Sequence, residues 1–314
     1  MSSFPTSPRI AVVGSGAVGC YYGGRLAEAG HDVHFLMRSD LGHVRRHGLR
    51  VSSIAGDFFL PSPSVHASTD DIGPCDLVLV TLKTTANTTL PALLPPLLHE
   101  DTIVLTLQNG LGNEEFLADV IGPLRVLGGL CFVCINRLSP GVIDHTAQGQ
   151  IAIGERHGPA TGRVHALAGL FSGSGVPCRA SDSLPAARWK KLAWNIPFNG
   201  LAIAAGSVDT AVIMNDPALR QLAEDLIEEV RHAAECCGHP LQPDLARVHL
   251  DATLGMAAYK PSSLIDFTEG RDVELHSIWT EPLRRAQAAG ASVPRIAMLH
   301  ALLSQLLRQR RPPA

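Results

Sequence analysis

The feature that most constrains this chain of 314 residues stands near its start. Arg9-Ile10-Ala11-Val12-Val13 runs into Gly14-Ser15-Gly16-Ala17-Val18-Gly19, and a small-residue stretch through Arg25-Leu26-Ala27-Glu28-Ala29 leads to Gly30. A β-branched run, a G-x-G-x-x-G and a stretch of helix formers spell strand, tight turn and helix. Such a turn lets the backbone approach a pyrophosphate and points the free N–H groups of a helix N-terminus at its charge. A second strand, residues 33–37, follows at βαβ spacing. The pattern predicts a dinucleotide site, with Gly14, Ser15, Gly16, Ala17, Val18 and Gly19 on the cofactor.

An NAD site of this kind places an acidic residue near the end of the second strand, where it accepts from the ribose 2′-OH. Here the strand ends in Met37-Arg38-Ser39-Asp40. Arg38 suits a 2′-phosphate by charge and by its forked donors, so the expected cofactor is NADP(H). Asp32 lies at the wrong end of the strand. Asp40 stands two residues late and is expected to cap a helix beginning near Leu41.

A chain this long is expected to form two domains. It is 46% hydrophobic and 18% charged, apolar enough for real cores. A net charge of −3 gives no basis for nucleic-acid or anionic-membrane binding. The first eight residues lack a basic and apolar leader, and no apolar run is long enough to span a bilayer, so a soluble cytoplasmic protein is expected. Seven cysteines form no disulfide framework for a cytoplasmic chain. Cys131 and Cys134 have C-x-x-C spacing within a strand-like segment and read as core filler. Cys134 also stands among the candidates for cofactor contact. Fourteen scattered histidines show no ligand spacing, so no metal is expected.

Strand signals fall at 49–53, 57–60, 76–82, 102–107, 126–133, 141–145, 150–153 and 177–180, with helical stretches at 41–47, 90–98 and 159–171. The unbroken apolar run at 76–82 marks a central parallel strand buried on both faces. The expected architecture over residues 8–182 is an N-terminal Rossmann-type, doubly wound α/β domain that binds NADP. From residue 183 the strand signals stop. Helices are expected at 184–205, 216–237, 243–256, 274–289 and 294–308, forming an all-helical C-terminal domain for substrate and catalysis over 183–310. Residues 309–314 are expected to fray.

In open α/β sheets, ligands bind beyond the carboxyl ends of the strands. Lys83 and Asn109 each close one. In the helical half, Lys191, Asn195 and Asn199 fall at i, i+4 and i+8 and share a helix face. A lysine desolvated there has its charged form disfavoured and becomes a better proton donor. Pro197 predicts a kink. Ser262 and Ser263 open a further helix whose hydroxyls suit a carboxylate, and Glu274 is a candidate partner for Lys191. Asp266, Glu269 and Arg271 read as surface or capping contacts.

Taken in order, Gly14–Gly19, Val80-Thr81-Leu82-Lys83, Gln108-Asn109-Gly110-Leu111-Gly112, Trp189-Lys190-Lys191-Leu192 with Asn195 and Asn199, and Ser262-Ser263 with Gly270-Arg271-x-x-Glu274 resemble the ketopantoate reductase (2-dehydropantoate 2-reductase) family. The resemblance implies an NADP-dependent oxidoreductase acting on a CH–OH group, which reduces 2-dehydropantoate to (R)-pantoate for pantothenate and coenzyme A biosynthesis. It implies Lys191 as proton donor and Glu274 as a second catalytic group at the cofactor–substrate junction. Asn109, Lys191, Asn195, Asn199 and Ser263 would bind substrate, and Arg38, Lys83, Asn109 and Glu274 would meet the cofactor. The partner is then a small 2-oxo acid; a homodimer is left open. The chain departs from the family pattern at Glu274-Leu275-His276, at Trp279-Thr280-Glu281 and at Asp209, where some members carry a substrate-binding Asn. Two alternatives follow: a reductase of another 2-oxo acid, and a non-catalytic NADP-binding sensor. A sensor has no need of Lys191, Asn195 and Asn199 on one face.

Overall fold

The computed structural model describes residues 4–310. The chain divides into two compact units. One runs up to Gln108 and resumes over Asn113–Leu184; the other takes Asn109–Gly112 and continues from Pro185.

The first unit is built on one sheet. Its elements in chain order are β1 (Arg9–Val13), α1 (Ala17–Glu28), β2 (Asp32–Leu36), α2 (Leu41–His47), β3 (Leu49–Ser53), β4 (Phe58–Leu60), β5 (Ser64–His66), β6 (Leu77–Val80), α3 (Leu90–Leu93), β7 (Ile103–Thr106), α4 (Asn113–Ile121), β8 (Val126–Ser139), β9 (Val142–Glu155), α5 (Gly162–Gly173) and β10 (Cys178–Ser181). The strands run in the order β4-β3-β9-β8-β7-β6-β1-β2-β5, with β10 also beside β9. From β8 through β5 every neighbour is parallel. All four residues of β6 are fully buried, because apolar side chains cover both faces of the sheet.

Two features differ from the sequence expectation. Residues 141–145 and 150–153 are one strand, β9, and the long β8–β9 hairpin slips register between Phe132 and Val133, Cys134 and Ile135, and Arg137 and Ser139. The intervening Gln148 (φ 63°) and Gly149 (φ 119°) read as a turn by composition, but they form a kink within a continuing strand. The edge strand β5 escapes notice because three residues directly after Pro61-Ser62-Pro63 carry no periodicity. Cys131 and Cys134 are buried on β8 and form no disulfide.

The second unit is helical: α6 (Leu184–Ala204, whose first residue belongs to the sheet unit), α7 (Thr210–Asn215), α8 (Pro217–Cys236), α9 (Leu245–Leu254), α10 (Ser262–Thr268), α11 (Glu281–Ala288) and α12 (Pro294–Arg310). The stretch 274–289 is broken: His276–Thr280 is a π-helical turn, and α11 follows. Pro282, at the second position of α11, lacks the N–H that would bond back into the preceding turn, and the π-helical turn lies just ahead of it. By contrast, α6 continues through Pro197 for 21 residues. Trp189, Ile196, Phe198, Trp279 and Leu299 lie in its core. Residues 309 and 310 are helical in α12, while 311–314 of the expected frayed tail lie outside the described residues. Among the described residues no helix is long and apolar enough to cross a membrane, and no cluster of three or more His, Cys, Asp or Glu side chains is placed to hold a metal.

Candidate active site

The glycine turn joins β1 to α1, and its three glycines have three different reasons to be glycine. Gly14 has φ +109°, and a Cβ there would lie 2.3 Å from the Leu82 nitrogen. A Cβ on Gly19 would lie 2.4 Å from the Gly14 carbonyl oxygen, so this glycine is needed for close packing of helix on turn. Around Gly16 no protein atom lies within 4 Å of the Cβ position. It is exposed, and no side chain caps the helix it opens. The first two positions are crowded by protein; the third is open to a ligand. That division is what a pyrophosphate at a helix N-terminus requires.

The turn is locked by groups that sequence motifs do not mark. Thr81 Oγ1, just after β6, donates to the Gly14 carbonyl at 2.6 Å, and Ser15 Oγ donates to the Leu36 carbonyl at 2.9 Å. Buried Gln108 donates from Nε2 to Leu82 O at 2.8 Å and to Asn87 Oδ1 at 2.7 Å, tying the end of β7 to the end of β6. Lys83 is exposed three residues beyond the end of β6.

Arg38 is exposed beyond the end of β2 and makes no hydrogen bond or ion pair among the described residues. Asp40 departs from expectation. It stands at the N-cap position of α2, but its side chain caps nothing. Instead its buried carboxylate accepts from Arg137 Nε at 2.8 Å, from Arg137 Nη2, from the Gly141 N–H at 3.1 Å and from Ser39 Oγ at 2.9 Å. Burial works against the charged form, yet these donors hold the carboxyl below the usual range. Already saturated, it has no capacity left for a ribose hydroxyl.

The second group of residues lies in the helical unit. Asn109 belongs there and not with the sheet strand that precedes it. The Leu111 N–H donates to the Ser277 carbonyl at 2.9 Å, and a Cβ on Gly110 (φ +86°) would lie 2.2 Å from the same oxygen. The Asn-Gly pair is therefore a close backbone approach to the π-helical turn. It brings Asn109 Oδ1 to 2.7 Å from Lys191 Nζ.

One and two turns further along α6, Asn195 and Asn199 are both buried. Asn195 makes no side-chain hydrogen bond among the described residues, and at 8% exposure its carboxamide keeps enough access to meet water or a ligand. Asn199 Oδ1 accepts from the Ser263 N–H at 2.9 Å. It does what Pro261, which occupies the N-cap position of α10, has no side chain to do. Ser263 is buried, and its hydroxyl makes no hydrogen bond among the described residues. Glu274 is buried immediately ahead of the π-helical turn, its carbonyl accepting from the Ile278 N–H at 3.2 Å. Asn109, Lys191, Asn195, Asn199 and Ser263 thus form a polar row whose α6 portion is about 12 Å long at 1.5 Å per residue.

The residues that depart from the family pattern have structural employment. Asp209 caps α7 by accepting from the Val212 N–H at 3.1 Å. Fully buried Trp279 donates to the Ile196 carbonyl at 3.1 Å. Glu281 pairs with Arg284 and Arg285, each approach 2.7 Å. Arg271 meets Asp266 at 2.9 Å and also Glu269, as capping and surface contacts.

Comparison with known proteins bears on both units. The family model for ketopantoate reductase PanE/ApbA matches residues 10–158, and that for its C-terminal part matches residues 183–307. A 2-dehydropantoate 2-reductase of Nostoc sp. is 41% identical over 93% of this chain and 93% of its own length. The crystal structure of 2-dehydropantoate 2-reductase from Geobacter metallireducens is 44% identical, covers 95% of this chain and 99% of that one, and has a TM-score of 0.92. The corresponding structure from Methylococcus capsulatus is 30% identical, with 97% and 98% covered and a TM-score of 0.89. With both units matched, the chain belongs to the ketopantoate reductase PanE/ApbA family of oxidoreductases.

Proposed function

We propose that this chain reduces 2-dehydropantoate to (R)-pantoate with NADPH, as a cytoplasmic enzyme of pantothenate and coenzyme A biosynthesis. The observation that carries the reading is the polar row on α6: an ammonium held at 2.7 Å by Asn109, followed on the same face by the unpartnered carboxamide of Asn195. When bound, NADPH supplies the hydride that reduces the C2 carbonyl. The residues of this chain do the rest. Lys191 gives a proton to the carbonyl oxygen as negative charge builds there. Asn109 accepts one ammonium hydrogen and so aims the others. Asn195 and the Ser263 hydroxyl hold the polar groups of the substrate. Asn199, with its oxygen already committed to Ser263, is left with Nδ2 as a donor and so suits an oxygen of the substrate. Arg38 offers its fork to the 2′-phosphate.

The test is loss of NADPH absorbance with a panel of 2-oxo acids. Turnover of 2-dehydropantoate well above that of analogues lacking the distal hydroxyl is the expected result, since a hydrogen-bonding site discriminates strongly against a missing partner. Turnover of the others but not of 2-dehydropantoate would assign a different 2-oxo acid. Silence with every substrate would leave a nucleotide-binding protein without this activity.

A further inference from the structure

Arg38 makes no hydrogen bond or ion pair among the described residues, and a residue far along the chain bears on what it can meet. Two positions after it, Asp40 carries a carboxylate that, if free, would either pair with the Arg38 guanidinium or repel a 2′-phosphate. Arg137 prevents both by taking one carboxylate oxygen with Nε at 2.8 Å and the other with Nη2. The Gly141 N–H adds a third donor at 3.1 Å. Arg137 reaches this place because β8 slips register between Arg137 and Ser139, beside the hairpin turn that turns the Gly141 N–H inward. The pair stands close to the glycine turn. Ser15 binds the end of β2 at 2.9 Å, and the Cys20 thiol on α1 is pushed up to about 12, chiefly by burial, with Asp40 raising it further and Arg137 lowering it.

We propose that Arg137 is a positioning residue for nucleotide selectivity: by occupying the carboxylate of Asp40 it leaves Arg38 available to a 2′-phosphate. The inference rests on the NADPH reading above, and Arg137 does not itself need to touch the nucleotide. Uncovering a carboxylate within two residues of a doubly charged phosphate site weakens NADP⁺ binding by about fivefold or more. NAD⁺, with a hydroxyl at that position, loses nothing and can gain an acceptor.

The experiment is calorimetric binding of NADP⁺ and NAD⁺ to the full chain, with no substrate present, for wild type, Arg137→Gln and the double variant Asp40→Asn/Arg137→Gln. The expected result is a fall of about fivefold or more in the NADP⁺/NAD⁺ affinity ratio for the single variant, with NAD⁺ affinity within about twofold of wild type. Removing the carboxylate as well should return the ratio to the wild-type value. That recovery separates charge masking from a merely structural role, in which the double variant would stay as poor as the single. An unmoved ratio in Arg137→Gln, or no recovery in the double variant, overturns the inference while the wild-type preference for NADP⁺ stands. A wild type that binds NAD⁺ better, or binds neither, overturns the NADPH reading itself and this inference with it. Arg137→Lys covers the case in which Arg137→Gln does not fold. It keeps the charge without the fork, so its ratio should fall by about twofold to threefold, and an unchanged ratio counts against the proposal.

Discussion

At the scale of single residues, the chemistry turns on Lys191 and on the acceptor that holds it. If Lys191 is the general acid, Lys191→Ala should lower kcat by about 10² or more, with the Kd for NADPH nearly unchanged. Steady-state kinetics and a direct binding measurement check the two halves separately. Glu281 carries a different prediction. The fork of Arg284, then Arg285, holds its carboxyl down to about 2 against an ordinary 4.5. A folded-state value below the unfolded one means stability that is present above the unfolded value and lost as pH falls toward the folded one. With Arg284 largely exposed, water screens the pair, and about 1–2 kcal/mol is a reasonable contribution. Glu281→Gln should therefore be less stable than wild type at neutral pH. Its denaturation midpoint should also fall less steeply than that of wild type between about pH 5 and pH 2. Parallel curves for the two proteins would remove the argument.

Among the elements, the strand–turn–helix at the start separates structural from ligand-facing glycines. Gly14→Ala must place a side chain in left-handed backbone against the Leu82 nitrogen and should cost about 3 kcal/mol or more, seen as a large drop in Tm. Gly16→Ala meets no protein atom and should cost less than about 1 kcal/mol, while weakening NADPH binding by about tenfold because its methyl enters the space the phosphates need. A cofactor titration beside a thermal melt separates the two effects. The same elements show how far local pattern reaches. β6 and the first helix are legible because continuous burial and small-residue packing leave clear signatures in composition. The long β9 is not, because a Gln-Gly kink inside a strand has the composition of a turn. The π-helical turn is likewise hidden, since its residues belong to a helical stretch and only Pro282 hints at the break.

For the whole molecule, the sheet unit and the helical unit have separate hydrophobic cores, and the glycine turn and Arg38, proposed to bind the nucleotide, lie in the first. NADPH at a hundredfold excess over its Kd should add about 2.7 kcal/mol to the stability of the unit that binds it. Differential scanning calorimetry should show this as a rise in the transition in which the sheet melts, larger with NADPH than with NADH at equal concentration. Arg38→Ala should make the two cofactors equivalent; a persistent NADPH advantage in that variant would place 2′-phosphate recognition elsewhere.

The sequence alone determined the strand–turn–helix, the succession of an α/β and a helical half, and the shared face of Lys191, Asn195 and Asn199. These depend on spacings of a few residues, where backbone geometry leaves few alternatives. It did not determine which partner each polar group finds. Asp40 meets Arg137 across 97 positions, Lys191 meets Asn109 across 82, and Asn199 meets Ser263 across 64. Those pairings were decided by the tertiary structure, because a side chain bonds to whatever donor or acceptor packing brings within about 3 Å, and no local pattern records what that will be.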